Sequence, residues 1–273
     1  MDLILENLPT IGALAATGVF AGILAGLLGV GGGIVIVPVL FFLFQSFGVS
    51  PESAMVIATA TSLATIIPTS ISSIRSHHKK GNVDFDLLKR WGLFVLIGVL
   101  IGSTVVTRVD GTWLTLLFGI IAGLSALNML FRSGKAAVVD QLPGMPGQAT
   151  MATSIGFFSS MIGIGGGTLS VPMLTFCNYP AHKAVGTAAA IGLLISLPGA
   201  ATMLAAGTTP DDAPLGTFGL VNLIGFVCIV PLTVLFAPVG AAIANKLDAN
   251  MLKKVFAVVL LITSARMLAQ FIL

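Results

Sequence analysis

The stretch Gly29-Val30-Gly31-Gly32-Gly33-Ile34-Val35-Ile36-Val37-Pro38 returns in the second half of the chain as Gly163-Ile164-Gly165-Gly166-Gly167-Thr168-Leu169-Ser170-Val171-Pro172. Outward from each copy the sequence stays uncharged for a long way. No Asp, Glu, Lys or Arg occurs between Glu6 and Glu52, nor between Asp140 and Lys183, so both glycine clusters sit midway through apolar tracts. Such a tract offers no water to satisfy bare backbone, and non-helical backbone at membrane depth is tolerated only where it is buried in protein or lines a cavity. A glycine break repeated in two such tracts reads as a duplicated membrane protein with a binding site at the breaks.

Composition points the same way. Of 273 residues, 56% are hydrophobic and 8% charged, with a mean hydropathy of +1.06, whereas a soluble domain is about 25% charged. No polar stretch approaches the size of a soluble domain, so one membrane domain is expected. It divides into a first transmembrane repeat over 1–131, a cytoplasmic linker over 132–148 and a second transmembrane repeat over 149–273. The net charge of +3 comes from basic residues in short loops, where membrane topology accounts for them, and nucleic-acid binding is set aside. Cys177 and Cys228 lie in apolar surroundings without CxxC spacing. Neither a disulfide framework nor a metal site is indicated, and no cofactor is expected. Asp2 and Glu6 stand where a signal peptide would be basic, which argues against a cleaved leader.

About 20 apolar residues cross the hydrocarbon core of a bilayer. Tracts 8–28, 53–74, 91–107, 113–131, 184–206, 217–243 and 252–272 are long enough or nearly so, whereas 34–47, 149–162 and 168–179 are short and flank the glycine clusters. The chain over 8–47 and over 149–179 therefore reads as two helix–break–helix hairpins. The most basic loop is Arg75-Ser76-His77-His78-Lys79-Lys80-Gly81-Asn82. Together with Arg132, Lys135, Lys246, Lys253 and Lys254 it is assigned to the cytoplasm, which puts both termini outside. Each half then holds one hairpin and three spans, so the second half starts on the side opposite to the first. The predicted fold is an all-α integral membrane protein of two inverted-topology repeats, each a Gly-broken helical hairpin plus three spanning helices. If the hairpins are re-entrant, the glycine clusters meet near the midplane; if they cross fully, the clusters lie at opposite faces.

Gly31, Gly32 and Gly33, with Gly165, Gly166 and Gly167, can turn several N–H groups toward one point. Half-helices beginning at Ile34 and Thr168 add their positive dipole ends, which suits a small anion. Close helix packing is the alternative use of these glycines. A nucleotide-binding loop lacks its preceding strand and acidic partner. Pro38 and Pro172, early in the half-helices, read as structural. Thr61 and Ser62 in Ala60-Thr61-Ser62-Leu63, and Thr187 in Ala184-Val185-Gly186-Thr187-Ala188, are candidate hydroxyl donors to the anion, with back-bonding in their own helices as the alternative. The span interiors hold no ionisable residue, Arg266 lying toward an outer end, which gives Na⁺ or metal-cation transport no support. His78 and His182, at predicted cytoplasmic ends, are the candidates for a gate or for proton coupling.

Gly26-Leu27-Leu28-Gly29-Val30-Gly31-Gly32-Gly33 with Pro38, then Ala60–Leu63, His78-Lys79-Lys80-Gly81-Asn82-Val83-Asp84, Gly163–Gly167 and His182-Lys183-Ala184-Val185-Gly186-Thr187 follow one another along the chain. In this order they resemble the TauE/SafE family of sulfite and organosulfonate exporters, also called the toluene-sulfonate uptake permease family. The resemblance extends over essentially the whole chain. It implies a multi-pass carrier of the bacterial cytoplasmic (inner) membrane that moves small sulfur-containing anions such as sulfite, sulfoacetate, thiosulfate or other organosulfonates. The function expected is secondary transport by alternating access between the repeats, not enzymatic. Its partners are a small anionic substrate and the lipid bilayer, with a proton as candidate coupling ion; monomer and homodimer both stay open. The competing classes are a carrier of small carboxylates or other oxyanions, a membrane enzyme or electron-transfer subunit, and a passive anion channel. The enzyme reading would need histidines or cysteines within spans to hold a cofactor.

Overall fold

A computed structural model describes residues 8–28, 32–131, 139–243 and 249–272. Among these, ten α-helices and one short hairpin form. Helices α1 (Leu8–Leu28) and α2 (Gly33–Ser46) flank the first glycine cluster, and α3 (Pro51–His78), α4 (Phe85–Val106) and α5 (Gly111–Phe131) follow. Helices α6 (Met145–Met161) and α7 (Gly167–Phe176) flank the second cluster. After them come α8 (Ala181–Ala206), strands β1 (Thr217–Phe218) and β2 (Val221–Asn222), α9 (Leu223–Ile243) and α10 (Ala249–Ile272). Gly31, Arg132, Lys135 and Lys246, named above, lie outside the described residues.

Several helices start where local chemistry supplies a cap. The Ser50 hydroxyl accepts the Ser53 N–H at 3.3 Å ahead of α3, with Pro51 as its first residue. Asp84 accepts from Asp86 and Leu87 at 3.0 and 2.9 Å ahead of α4, and Asn222 accepts from Gly225 at 2.8 Å ahead of α9. Each satisfies N–H groups that the first helical turn leaves without a partner. The tract 217–243, expected as one span, is helical only from Leu223. Its first residues fold back as an antiparallel hairpin, with Gly219 at φ 54° opening the two-residue turn between Phe218 and Val221.

Helix α3 runs through the centre, with 78% of its most apolar window buried. The four strongest packing pairs are α1 with α9, α6 with α4, α5 with α10, and α3 with α8. When α1–α5 are exchanged in order for α6–α10, this set of pairs maps onto itself. Backbones touch in both interfaces that exchange. A methyl built on Gly22 of α1 would lie 2.7 Å from the Thr233 carbonyl oxygen of α9, and one on Gly156 of α6 would lie 2.3 Å from that of Val95 in α4. Close approach through small residues is the usual way helices pack in lipid, where apolar side chains gain nothing by leaving the solvent.

Polarity is distributed inside out. Thr59, Thr61, Ser62, Thr65, Thr69, Ser70 and Ser73 of α3 are buried, whereas Leu93, Leu100 and Ile101 of α4, Leu124 of α5, Val227 and Leu235 of α9 and Ile262 of α10 are exposed. Four helical stretches are long and apolar enough to cross a membrane, namely α3, α5, α8 and Leu223–Gly240 of α9. Helices α1, α2 and α7 contribute shorter apolar stretches.

Candidate functional site

A methyl built on Gly33, the first residue of α2, would lie 2.5 Å from the Gly163 carbonyl oxygen and 2.9 Å from Ile164 Cα. The two glycine breaks thus touch backbone to backbone. Gly32 and Gly163 hold left-handed backbone, at φ 80° and 69°, which costs glycine nothing and other residues about 1–2 kcal/mol. Gly163 is also wedged against α3, where Thr59 Cα and its carbonyl oxygen would lie 2.7 and 2.8 Å from an added methyl. Packing and turn geometry therefore account for the residue type at these positions, and the exposed chemistry is that of the helix ends they create.

Both α2 and α7 begin at the breaks with no capping side chain. Gly32, Gly33 and Ile34 are buried, as are Gly165, Gly166, Gly167 and Thr168. The first N–H groups of a helix have no acceptor within it, so a buried start without a cap concentrates unanswered donors and a positive dipole end. Hydroxyls add to the count. Thr59, Ser70 and Ser73 of α3, Ser159 of α6 and Thr168 of α7 are buried and make no hydrogen bond. A buried polar group left unpaired costs about 1–3 kcal/mol, so a group of them calls for a partner. At 3.6 residues per turn, Thr59, Ser62, Ile66, Ser70, Ser73 and His77 fall on one stripe of α3, and all six are buried. Across from this stripe, a methyl on Gly192 of α8 would meet Ser70 Oγ at 3.1 Å and the Gly166 amide nitrogen at 3.6 Å. The missing side chain lets α8 come close to the Ser70 hydroxyl and the start of α7.

The hydroxyls singled out from sequence hold the frame around these contacts. Ser62 donates to the Gly163 carbonyl oxygen at 2.6 Å and ties α3 to the second break. Thr61 Oγ1 accepts the Asn222 N–H at 2.8 Å, and Thr187 Oγ1 accepts the Asp84 N–H at 3.0 Å. The two threonines are equivalent in role, each gripping the residue that caps α9 or α4 across the molecule. The unengaged hydroxyls are others, and their signal in the sequence is the helical spacing along α3 and the place of Thr168 immediately after the glycines. His78 is exposed, edge-on to Phe85 at 5.4 Å, and His182 is exposed as well. The buried histidine is His77, whose Nε2 lies 3.1 Å from the Gly26 carbonyl oxygen of α1.

Asp84 also accepts from the Tyr179 hydroxyl. Burial pushes the Asp84 carboxyl up, but the Tyr179 hydroxyl, the Leu87 and Asp86 N–H groups and the Lys183 charge together outweigh it and hold the group below its ordinary value. Burial, followed by the bond to Asp84 and its charge, pushes the Tyr179 phenol far above its ordinary value. At neutral pH the carboxylate is charged and the phenol keeps its proton. Beside the basic end of α3 opens a cleft of about 520 Å³, lined by Pro68, Ile71, Ser72, Arg75, Lys79 and Pro238 among others. Pro238 cannot donate to the Val234 carbonyl, and Ser72 does so instead at 3.1 Å.

The chain matches the model of the family described as sulfite exporter TauE/SafE over residues 14–267. A probable membrane transporter protein of Haemophilus influenzae is 31% identical over 92% of this chain and 95% of its own length. One from Methanocaldococcus jannaschii is 31% identical over 82% of this chain and 80% of its own. The probable membrane transporter protein YunE of Bacillus subtilis is 28% identical over 94% and 97%. No solved structure matches the chain. A match of this length, on a body of apolar helices with an apolar exterior and a polar centre, makes this a multi-pass membrane protein, and it belongs to the sulfite exporter TauE/SafE family of membrane transporters.

Proposed function

We propose that this protein is a secondary carrier of small sulfur-containing anions that works by alternating access between two inverted-topology repeats, 1–131 and 149–273. One observation carries the reading: two buried helix starts lack capping side chains, that of α2 touching the second break at Gly163 beside Thr59 and that of α7 lying by Gly192 and Ser70, and the hydroxyls of Thr59, Ser70 and Thr168 are unpaired. Backbone N–H groups at Gly31–Gly33 and Gly165–Gly167 would face an anion's oxygens, and the hydroxyls would donate to them. Among the described residues, carboxylates, which a cation would need, stay at helix ends and loops, as with Glu52, Asp84, Asp110, Asp211 and Asp212. The family's description, which names sulfite, favours sulfur anions over carboxylates.

Two features support the inverted repeats. The strongest packing pairs survive exchange of α1–α5 for α6–α10, and the contact between the two breaks is what re-entrant hairpins would produce. Three spans after each hairpin then turn the second half upside down relative to the first. The Thr61–Asn222 and Thr187–Asp84 bonds join the halves at separate places, so a rocking motion would open one while keeping the other. By the charge rule the Arg75–Asn82 loop lies on the inner side of a bacterial cytoplasmic membrane.

The test is a thermal-shift panel on purified protein with sulfite, sulfate, thiosulfate, sulfoacetate, taurine, acetate and chloride. A ligand at a hundred times its Kd stabilises by about 2.7 kcal/mol. Shifts confined to sulfur anions, and saturable flux of those anions into liposomes, are the expected result. A flat panel, a response to acetate alone, or single-channel currents would overturn the reading.

A further inference from the structure

Among the described residues, His77 is the only buried side chain able to carry a positive charge. It sits in the last turn of α3, 4% exposed, with Nε2 3.1 Å from the Gly26 carbonyl oxygen. A carbonyl oxygen only accepts, so Nε2 holds a hydrogen, and in the neutral ring Nδ1 is then a bare lone pair. Among the described residues no group donates to it. A proton arriving there converts an unanswered acceptor into a second donor and leaves the bond to Gly26 in place. The stripe that His77 ends continues through Ser73 and Ser70, whose hydroxyls are also unpaired, to Ser62 and Thr59 at the second glycine break. Lys80 and His182 are the titratable groups near enough to act on the ring electrostatically. Arg75, His78 and Lys79 share its end of α3 but are exposed, and α1 brings no ionisable residue to it. An anion held by neutral donors alone is an uncompensated buried charge, which is unfavourable unless something offsets it.

We propose that His77 binds the coupling proton of this carrier. Solvent at the His77 end of α3 supplies H⁺ to Nδ1, the ring becomes imidazolium, and anion and proton then occupy the protein together with one negative charge fewer between them. The proposal rests on the anion-carrier reading above. His78 and His182, the candidates drawn from sequence for this role, become its controls.

The experiment measures binding of thiosulfate, whose charge is constant over the range used, to the full chain in detergent at about pH 5.5 and pH 8, around the histidine range. Proton uptake on binding is read in weak buffer near neutrality. The wild type is expected to bind about tenfold more tightly at the lower pH, the equivalent of one unit of histidine pKa shift, and to take up at most about half a proton per thiosulfate. His77→Gln, whose amide can still donate to Gly26, should keep the wild-type affinity at pH 8 and lose both the pH dependence and the uptake. His78→Gln and His182→Gln should behave as wild type. Binding of thiosulfate without pH dependence, a dependence that survives in His77→Gln, or one that disappears in either control would overturn the proposal and leave the anion reading standing. A wild type that binds no anion of the panel at either pH would defeat both. If His77→Gln does not fold, proton uptake by the wild type decides alone, and its absence counts against His77.

Discussion

Helix α2 leaves the first glycine break through Gly33, Ile34, Val35 and Ile36, whereas α7 leaves the second through Gly167, Thr168, Leu169 and Ser170. Among the described residues the left-handed positions differ as well. Gly32 stands at φ 80°, its sequence counterpart Gly166 is right-handed at φ −54°, and the left-handed turn of the second break falls at Gly163 instead. The helices that follow reverse the polarity. The buried stripe of α3 carries Thr59, Ser62, Ser70 and Ser73, while α8 offers Ile191, Gly192 and Ile195 around its centre. The polar helix of one half is thus laid against the polar break of the other, through Ser62 to Gly163 and Ser70 beside Gly166, and the apolar first break packs on Ile66 and Ile164. The strongest packing pairs map onto themselves when α1–α5 and α6–α10 are exchanged, whereas the unpaired hydroxyls gather at the second break.

The contact between the breaks is the first thing to break. Gly33→Ala places a methyl 2.5 Å from a backbone oxygen that has no room to turn aside. We expect a loss of about 3 kcal/mol, the upper part of the usual range for overpacking, visible as a lower Tm and poorer monodispersity. An unchanged Tm would mean that the two breaks do not meet. Next is the polar helix against its counterpart. Ser62→Ala leaves the buried Gly163 carbonyl unpaired and should cost about 2 kcal/mol. Ser196→Ala on α8 removes only a weak back-bond to Leu193 at 3.4 Å and should cost well under that. Equal melting temperatures for the two variants would erase the asymmetry. Smallest in stability, and most telling for binding, is Thr168→Val. It removes an unpaired buried hydroxyl at nearly constant volume, so stability should rise by about 1 kcal/mol while the thermal shift given by sulfite or thiosulfate shrinks. Ile34→Val at the corresponding place in α2 should leave that shift intact. A Thr168→Val protein that responds fully to the anion would take the second break out of the site.

Helix positions are legible because lipid makes long apolar runs and polar caps nearly sufficient signals. The tract 8–28 coincides with α1, and 113–131 falls within α5. Residues 217–222 read as span because an apolar hairpin and an apolar helix look the same to a hydropathy count, and the informative residues there are Gly216, Gly219 and Asn222. The place of the two breaks is legible too, since a backbone break in an apolar tract needs glycine. Which hydroxyls remain unengaged is not, because it depends on what each meets far along the chain. Thr61 finds Asn222 and Ser62 finds Gly163, while Thr59, one turn away, finds nothing. His77 reads as a loop residue when counted with its charged neighbours. Its place on the stripe from Thr59 shows only when helical spacing is followed past the end of the apolar tract.

The bonds that hold α3 span long stretches of chain, with 101 residues between Ser62 and Gly163 and 161 between Thr61 and Asn222. Synthesis proceeds at about 5–20 residues per second, so Thr61 waits roughly ten to thirty seconds for its partner to leave the ribosome. During that interval the helix richest in hydroxyls has only its own carbonyls to bond, and it must be sheltered by the insertion machinery or by α1 and α2. The surroundings of α3 are therefore a late product of translation, completed by the last third of the chain, and a ribosome stalled near residue 200 would leave in the membrane a set of helices whose most polar member has no finished surroundings.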